Sequence, residues 1–308
     1  MAEFSRESLH HAQVVPLTAF DQQGELALDP MRQQTQRLLD AGVRVFIPCA
    51  GSSEFHTMTA SEIVAAIQMT REVVGDKARV ICPVGLQLRY AIDLGKQALT
   101  AGADGVLVMP LGFPYLSDTG ASDYYTALLD ELQCPSIIYK KAPIPSDDLL
   151  LQLADHPHLI GIKYSVNDIS NFQNVVARDR NRLDWFCGSA ERYAPFFALA
   201  GSPGYTSGAG NICPRVTVGM HAALARGDWP EALRLQQIIM PIETYRARAD
   251  NSYNVSFLKH AVTSLGFDFG SPRPPYRRLT DIEKREIDSI VAPILAAEEE
   301  LASATVAS

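Results

Sequence analysis

Eight times along the chain a short apolar run is followed by a stretch with helical spacing, and that recurrence admits few folds. The first run covers residues 12–17 and is closed by a turn at Asp21-Gln22-Gln23-Gly24; a helix is expected over 30–41, stopped by Gly42. Further strands are expected at 43–47, 78–84, 104–109, 135–139, 159–163, 184–187 and 204–207. Between and after them the spacing predicts helices over 60–74, 89–100, 122–133, 147–154, 168–178, 190–200 and 214–225, with Asp168 as a candidate N-cap. Each is long enough for a parallel crossover. The joint Ala41-Gly42-Val43 is used again at Ala101-Gly102-Ala103. A doubly wound sheet would also alternate, but no GxGxxG follows the first strand, and eight units is the barrel number. The expected fold class is therefore α/β, a (β/α)8 TIM barrel over residues 1–226.

The remainder, 227–308, reads as a C-terminal helical extension packed on the barrel. Helices are expected over 229–248, 253–265 and 280–301, with a proline-rich link at 271–275, a kink or break at Pro293, and a frayed tail over 302–308. No stretch before it is rich enough in Gly, Ser or charge to act as a domain linker.

A net charge of −8 gives no footprint for nucleic acid or an anionic membrane surface. No apolar run approaches the ~18 residues of a membrane span, and the first residues lack a signal-peptide core, so a cytoplasmic location is expected. The five cysteines include no CxxC pair and read as small buried hydrophobes. None of the seven histidines forms an HExxH-type pair, so no metal site is expected.

One lysine stands out. Leu159-Ile160-Gly161-Ile162-Lys163 is an apolar strand with a lysine at its C-terminal end, the end at which barrels of this kind build their active sites. Such an ammonium snorkels to water, pairs with a carboxylate, or is kept partly neutral by desolvation and becomes a nucleophile. Tyr139 ends the preceding strand, where it either packs with its hydroxyl in water or shuttles the proton that imine chemistry requires. The strand ends also carry Gly51, Ser52 and Ser53, then Lys141, Ser165, Gly188 and Ser207. These small or basic residues leave room for an acid substrate and offer it donors; the alternative for Gly51-Ser52-Ser53 is an ordinary strand-to-helix turn.

Several segments, in order, resemble the dihydrodipicolinate synthase/N-acetylneuraminate lyase superfamily of Schiff-base barrels. Pro16-Leu17-Thr18-Ala19-Phe20-Asp21 is similar to its opening Thr-Pro-Phe segment, Ala50-Gly51-Ser52-Ser53-Glu54 to its Gly-Thr-Thr-Gly-Glu loop, and residues 101–108 to its Ala-Gly-Ala-Asp-Gly strand. Ile138-Tyr139 resembles its strand-five tyrosine and Gly161-Ile162-Lys163 its imine-forming lysine segment. Within the superfamily, Glu54-Phe55, the small Gly51 and the C-terminal segment from Arg246 through Tyr253-Asn254-Val255 to Pro275 resemble the 5-dehydro-4-deoxyglucarate dehydratases.

The resemblance implies a cofactor-independent hydro-lyase acting on a small 2-oxo acid: an imine at Lys163, proton loss to an enamine, expulsion of a β-hydroxyl, then decarboxylation. It also implies a homotetramer, a dimer of dimers. The alternatives are aldol cleavage or condensation through the same imine, and a barrel that binds a sugar acid without turnover. Where the synthases place a carboxylate-binding arginine five residues after the tyrosine, this chain has Ile144, and Lys141 is the candidate replacement.

Overall fold

The computed structural model describes residues 4–306, with side chains to Ser303. Strands β1 (Ala12–Val14), β2 (Val45–Phe46), β3 (Arg79–Val84), β4 (Gly105–Val108), β5 (Ser136–Lys140), β6 (Leu159–Tyr164), β7 (Asp184–Cys187) and β8 (Tyr205–Ser207) pair in parallel in chain order. β8 returns to β1 through Ala12↔Tyr205 and Val14↔Ser207, closing the barrel. The crossovers are α1 (Leu28–Asp40), α2 (Ala60–Val74), α3 (Leu88–Thr100), α4 (Asp118–Leu132), α5 (Asp147–Leu153), α6 (Ile169–Asp179) and α7 (Ala190–Leu199), with α8 (Pro214–Ala225) after β8.

Local chemistry explains where the helices start. Thr59 and Glu62 form a reciprocal capping box on α2, and the Asp168 side chain accepts from the Asn171 N–H at the head of α6, as its sequence position predicts. Pro214 opens α8, where its missing N–H costs nothing. All five cysteines are free and buried.

The C-terminal region comprises α9 (Trp229–Arg246), a single turn α10 (Arg248–Asn251), α11 (Asn254–Thr263) and α12 (Asp281–Val306). α9 packs on α7 and α8, α12 on α8, α9 and α11, and Ile239, Phe257, Ile287 and Val291 join the same core as the barrel. Two expectations are corrected here. Pro293 lies inside α12 without breaking it, and the helix continues through Val306 rather than fraying from 302; residues 307 and 308 lie outside the described residues. Buried Ile287, Val291 and Ile294 hold the segment down on both sides of the proline, so packing outweighs the lost backbone hydrogen bond.

Side-chain alternation sets the interior. The Tyr164 hydroxyl lies 3.3 Å from Asp147 of α5 and 3.0 Å from Asn171 of α6, and the Tyr205 hydroxyl donates to the Thr217 carbonyl of α8 at 2.7 Å. Both rings therefore face the helices. Period two then turns Lys163 and Thr206 inward, together with Tyr139 and Phe186, the register partners of Lys163 on either side.

Candidate active site

Lys163 stands one residue from the C-terminal end of β6, pointing into the barrel, 6% exposed. Its amine lies 4.1 Å from the centroid of the Tyr139 ring on β5, the residue directly opposite in register. Burial strips water from the ammonium and brings the pKa down from 10.5 to about 7, with the charge of Lys141 pushing the same way. The ring face favours the cation, but desolvation wins. A substantial fraction of the amine is thus unprotonated near neutral pH, which is the state a nucleophile needs.

Gly188, immediately after β7, is required by this arrangement. A Cβ there would lie 3.0 Å from Lys163 Cγ and clash with Ser165 Oγ. Ser165 in turn sits 3.4 Å from the Tyr139 hydroxyl, a long contact for two hydroxyls. Lys163, Tyr139, Ser165 and Gly188 are brought together.

The loop after β2 approaches from the other side. Residues Gly51–Ser53 form a 3-10 turn, and the amides of Gly51 and Ser52 donate to no acceptor among the described residues. Ser52 is half-buried with an uncommitted hydroxyl, so a carboxylate could take these donors. Ser53 is different: it is buried, its hydroxyl donates to the Pro16 carbonyl, and its own carbonyl accepts from Thr18 at 2.8 Å. Its side chain ties two loops together and is not free for a ligand.

Ser207 is likewise occupied. Its hydroxyl donates to Glu191 and accepts from the Gly210 N–H, and Glu191 also accepts from Thr217 of α8. By the alternation above it faces the helical layer, away from the lysine. Lys141 is exposed and forms no hydrogen bond or ion pair among the described residues; it reaches the site through its charge. The neighbouring Lys140 is the one committed to the following loop, donating to the carbonyls of Ala142 at 3.2 Å and Pro145 at 2.6 Å.

The turn itself rests on contacts that no local spacing in the sequence encodes. Glu54 has a left-handed backbone, φ 68°, and is fully buried; its carboxylate meets Lys259 of α11 at 2.7 Å and accepts from the Arg273 N–H at 2.8 Å. Arg273 also donates to the carbonyls of Gly24 and Thr57. The C-terminal region thus clamps the Gly51–Ser53 turn. A lone lysine among buried Val255, Phe257, Leu258, Ala261 and Val262 was the available signal. Replacing Lys259 by methionine leaves the buried Glu54 charge without its cation, so a loss of about 3–5 kcal/mol in denaturant titration is expected.

Comparison with known proteins now decides the family. The model of the Dihydrodipicolinate synthetase family matches residues 9–294. The chain belongs to that family. It is an enzyme of the lyase type that the family comprises, and the comparisons bear out the barrel with its C-terminal helices. Among curated relatives, "Probable 5-dehydro-4-deoxyglucarate dehydratase 1" of Streptomyces coelicolor is 28% identical over 288 residues, covering 90% of each chain. The "5-dehydro-4-deoxyglucarate dehydratase" of Pseudomonas putida is 27% identical, covering 90% of this chain and 92% of that one. Among solved structures, a dihydrodipicolinate synthase from Bacillus clausii is 32% identical with a TM-score of 0.90, covering 94% of this chain and 98% of that one. No helix among the described residues is long and apolar enough to cross a membrane, and they contain no group of three or more His, Cys, Asp or Glu that could hold a metal.

Proposed function

We propose that this family member dehydrates and decarboxylates a small 2-oxo acid through an imine on Lys163, as a 5-dehydro-4-deoxyglucarate dehydratase-like hydro-lyase. The observation that carries the reading is the buried Lys163 amine, with its pKa lowered to about 7, set against the Tyr139 ring. The amine adds to the ketone carbon, and loss of water gives a protonated imine; Tyr139 moves the protons of both steps. The cationic nitrogen then accepts the electron pair left when the adjacent carbon loses a proton. The resulting enamine expels the β-hydroxyl, which leaves as water with one proton. The conjugated imine formed next accepts the electrons of the bond to the departing carboxylate, releasing carbon dioxide. The dienamine left behind takes up a proton on carbon, and hydrolysis of the resulting imine releases the product and returns the free amine. The lysine nitrogen is the electron sink throughout, so this route calls on no other cofactor. The carboxylate beside the ketone is assigned to the free amides of Gly51 and Ser52 and the Ser52 hydroxyl.

Borohydride reduction in the presence of pyruvate or sugar-acid-derived 2-oxo acids, followed by peptide mapping, tests the proposal. An adduct on Lys163 is expected; its absence with every acid tried ends this reading. A second reading, aldol cleavage or condensation through the same imine, is favoured by the 32% identity to a structure described as a dihydrodipicolinate synthase. Release of pyruvate in place of carbon dioxide and a semialdehyde decides for it.

The pH profile follows from the same amine. Below about pH 7 the ammonium form dominates and kcat/KM should rise close to tenfold per pH unit; above it the curve should flatten, well short of an ordinary lysine's ~10.4. Because Lys141 contributes to the depression, Lys141→Gln should move the inflection to higher pH. An unmoved inflection would show that burial alone sets it.

A further inference from the structure

The loop that carries the chain from β5 to α5 starts Lys141-Ala142-Pro143-Ile144-Pro145 and has little backbone hydrogen bonding of its own. The two prolines bring no N–H, and the amides of Ala142 and Ile144 donate to no acceptor among the described residues. What gathers the loop is a side chain. The Lys140 amine, at the end of β5, donates to the carbonyls of Pro145 at 2.6 Å, Ala142 at 3.2 Å and Pro143 at 3.4 Å, and the residue is 4% exposed. Asp147 Oδ1, at the head of α5, lies 3.5 Å away and accepts no hydrogen bond among the described residues. Three N–H donors thus meet three carbonyl oxygens, with a carboxylate to balance the charge. These are surroundings that backbone oxygens offer a small monovalent cation.

The same residue is tied to the reacting strand. Lys140 pairs in register with Tyr164 of β6, and its carbonyl accepts from the Ser165 N–H at 2.9 Å, two residues beyond Lys163. Tyr139, whose ring rests 4.1 Å from the Lys163 amine, directly precedes it. Asp147 is anchored as well: its Oδ2 accepts from Asn171 of α6 at 2.8 Å and lies 3.3 Å from the Tyr164 hydroxyl. Lys141 follows this fixed point. Its side chain is exposed and has no partner among the described residues, so only its backbone holds it in place. Its charge nevertheless adds to burial in disfavouring the charged forms of both Lys163 and His56, a residue of the loop after β2.

We propose that Lys140 is a positioning residue: its ammonium fills the seat of a bound cation, folds residues 142–145 around itself and thereby holds Lys141 at the barrel mouth facing Lys163. Truncating it should release the loop, and the charge of Lys141 with it, while leaving the nucleophile in place. The assignment deepens the imine reading above, but the titration of the Lys163 amine can be followed without any substrate. The titratable groups that act on that amine are Lys141 and Cys187, and Tyr139 lies against it.

Competitive acetylation by acetic anhydride from about pH 5 to 9, mapped by mass spectrometry and scored against the exposed Lys77, reads the unprotonated fraction of Lys163. The full chain would be compared with Lys140→Ala, Lys141→Gln and the double variant, each checked for folding by thermal unfolding. At about pH 6, below the inflection, labelling of Lys163 should fall about two- to tenfold in Lys140→Ala, as in Lys141→Gln. The double variant should fall no further than Lys140→Ala, because the charge released in one is the charge removed in the other. Propylammonium, which supplies the atoms taken from the lysine, should restore labelling in Lys140→Ala and not in the double variant. Tetramethylammonium, which has no N–H to donate, should restore neither.

An inflection that stays put in either single variant, or equal recovery with tetramethylammonium, overturns the assignment. So do falls that add in the double variant, which would mean that Lys140 acts through its own charge. Should Lys140→Ala not fold, Lys140→Met, which fills the space and offers no donor, takes its place in the pH comparison with the same expected fall. Absence of a pyruvate adduct on Lys163, with these acetylation profiles as expected, ends the imine reading and leaves the positioning role of Lys140 standing.

Discussion

Lys163→Met is expected to abolish turnover and, in the same variant, to make the protein more stable. On the proposed mechanism no other group can form the imine, so activity should fall by ~10⁴-fold or more and borohydride labelling should vanish. The stability gain follows from the same burial that activates the amine. In the folded state the pKa is about 7, whereas the unfolded chain has a lysine near ~10.4. Between those values the unfolded state binds more protons, so the lysine's contribution to stability improves as pH rises through that window. The penalty is fully present below about pH 7 and gone above about pH 10. A neutral methionine of similar length escapes it, so thermal or urea unfolding at pH 6–7 should show a gain on the order of 2–4 kcal/mol that shrinks toward pH 10. Loss of activity without any pH-dependent gain would mean that the lysine is not desolvated when folded.

The lysine was legible because it breaks a local pattern: an apolar strand that ends in a charge, in the sixth of eight recurring units. Tyr139 was legible for the same reason, since parallel register brings equivalent strand ends side by side. Which way each residue faces was less accessible. In a barrel sheathed by helices both faces of a strand are apolar, so the sequence shows a continuous hydrophobic run whose period-two phase is hidden. The phase decides that Tyr139 faces in while Lys140 turns out to the loop carbonyls, and that Ser207 serves Glu191. Contacts far apart in the chain were least accessible. The Glu54–Lys259 pair joins residues 205 positions apart and the contact of Arg246 with Gly208 spans 38, and no local spacing encodes either. Both come from the C-terminal helices, whose expected role was packing on the barrel. They also reach its mouth.

Tyr139→Phe isolates the proton step from the rest of the site. The lysine amine rests against the ring, 4.1 Å from its centroid, and phenylalanine preserves that ring, its packing and its attraction for the cation. Ser165 loses only a long 3.4 Å contact, so little stability should be lost. What disappears is the one hydroxyl carried by the side chain paired with Lys163. Formation and breakdown of the carbinolamine both need a proton delivered and removed, and a positioned acid–base group contributes about 10²–10⁴-fold to such steps. Turnover should therefore drop by about 10²–10³-fold, with an unfolding midpoint close to that of the unaltered protein. Borohydride labelling of Lys163 should still reach completion, but more slowly, because the nucleophile is intact. KM should change much less than kcat, since the amides of Gly51 and Ser52, to which the proposed mechanism assigns the carboxylate, are untouched. Normal kcat in Tyr139→Phe would remove the tyrosine from the mechanism and pass the proton to water or to Ser165. Loss of labelling altogether would instead mean that the hydroxyl, and not only the ring, holds the amine in its reactive position.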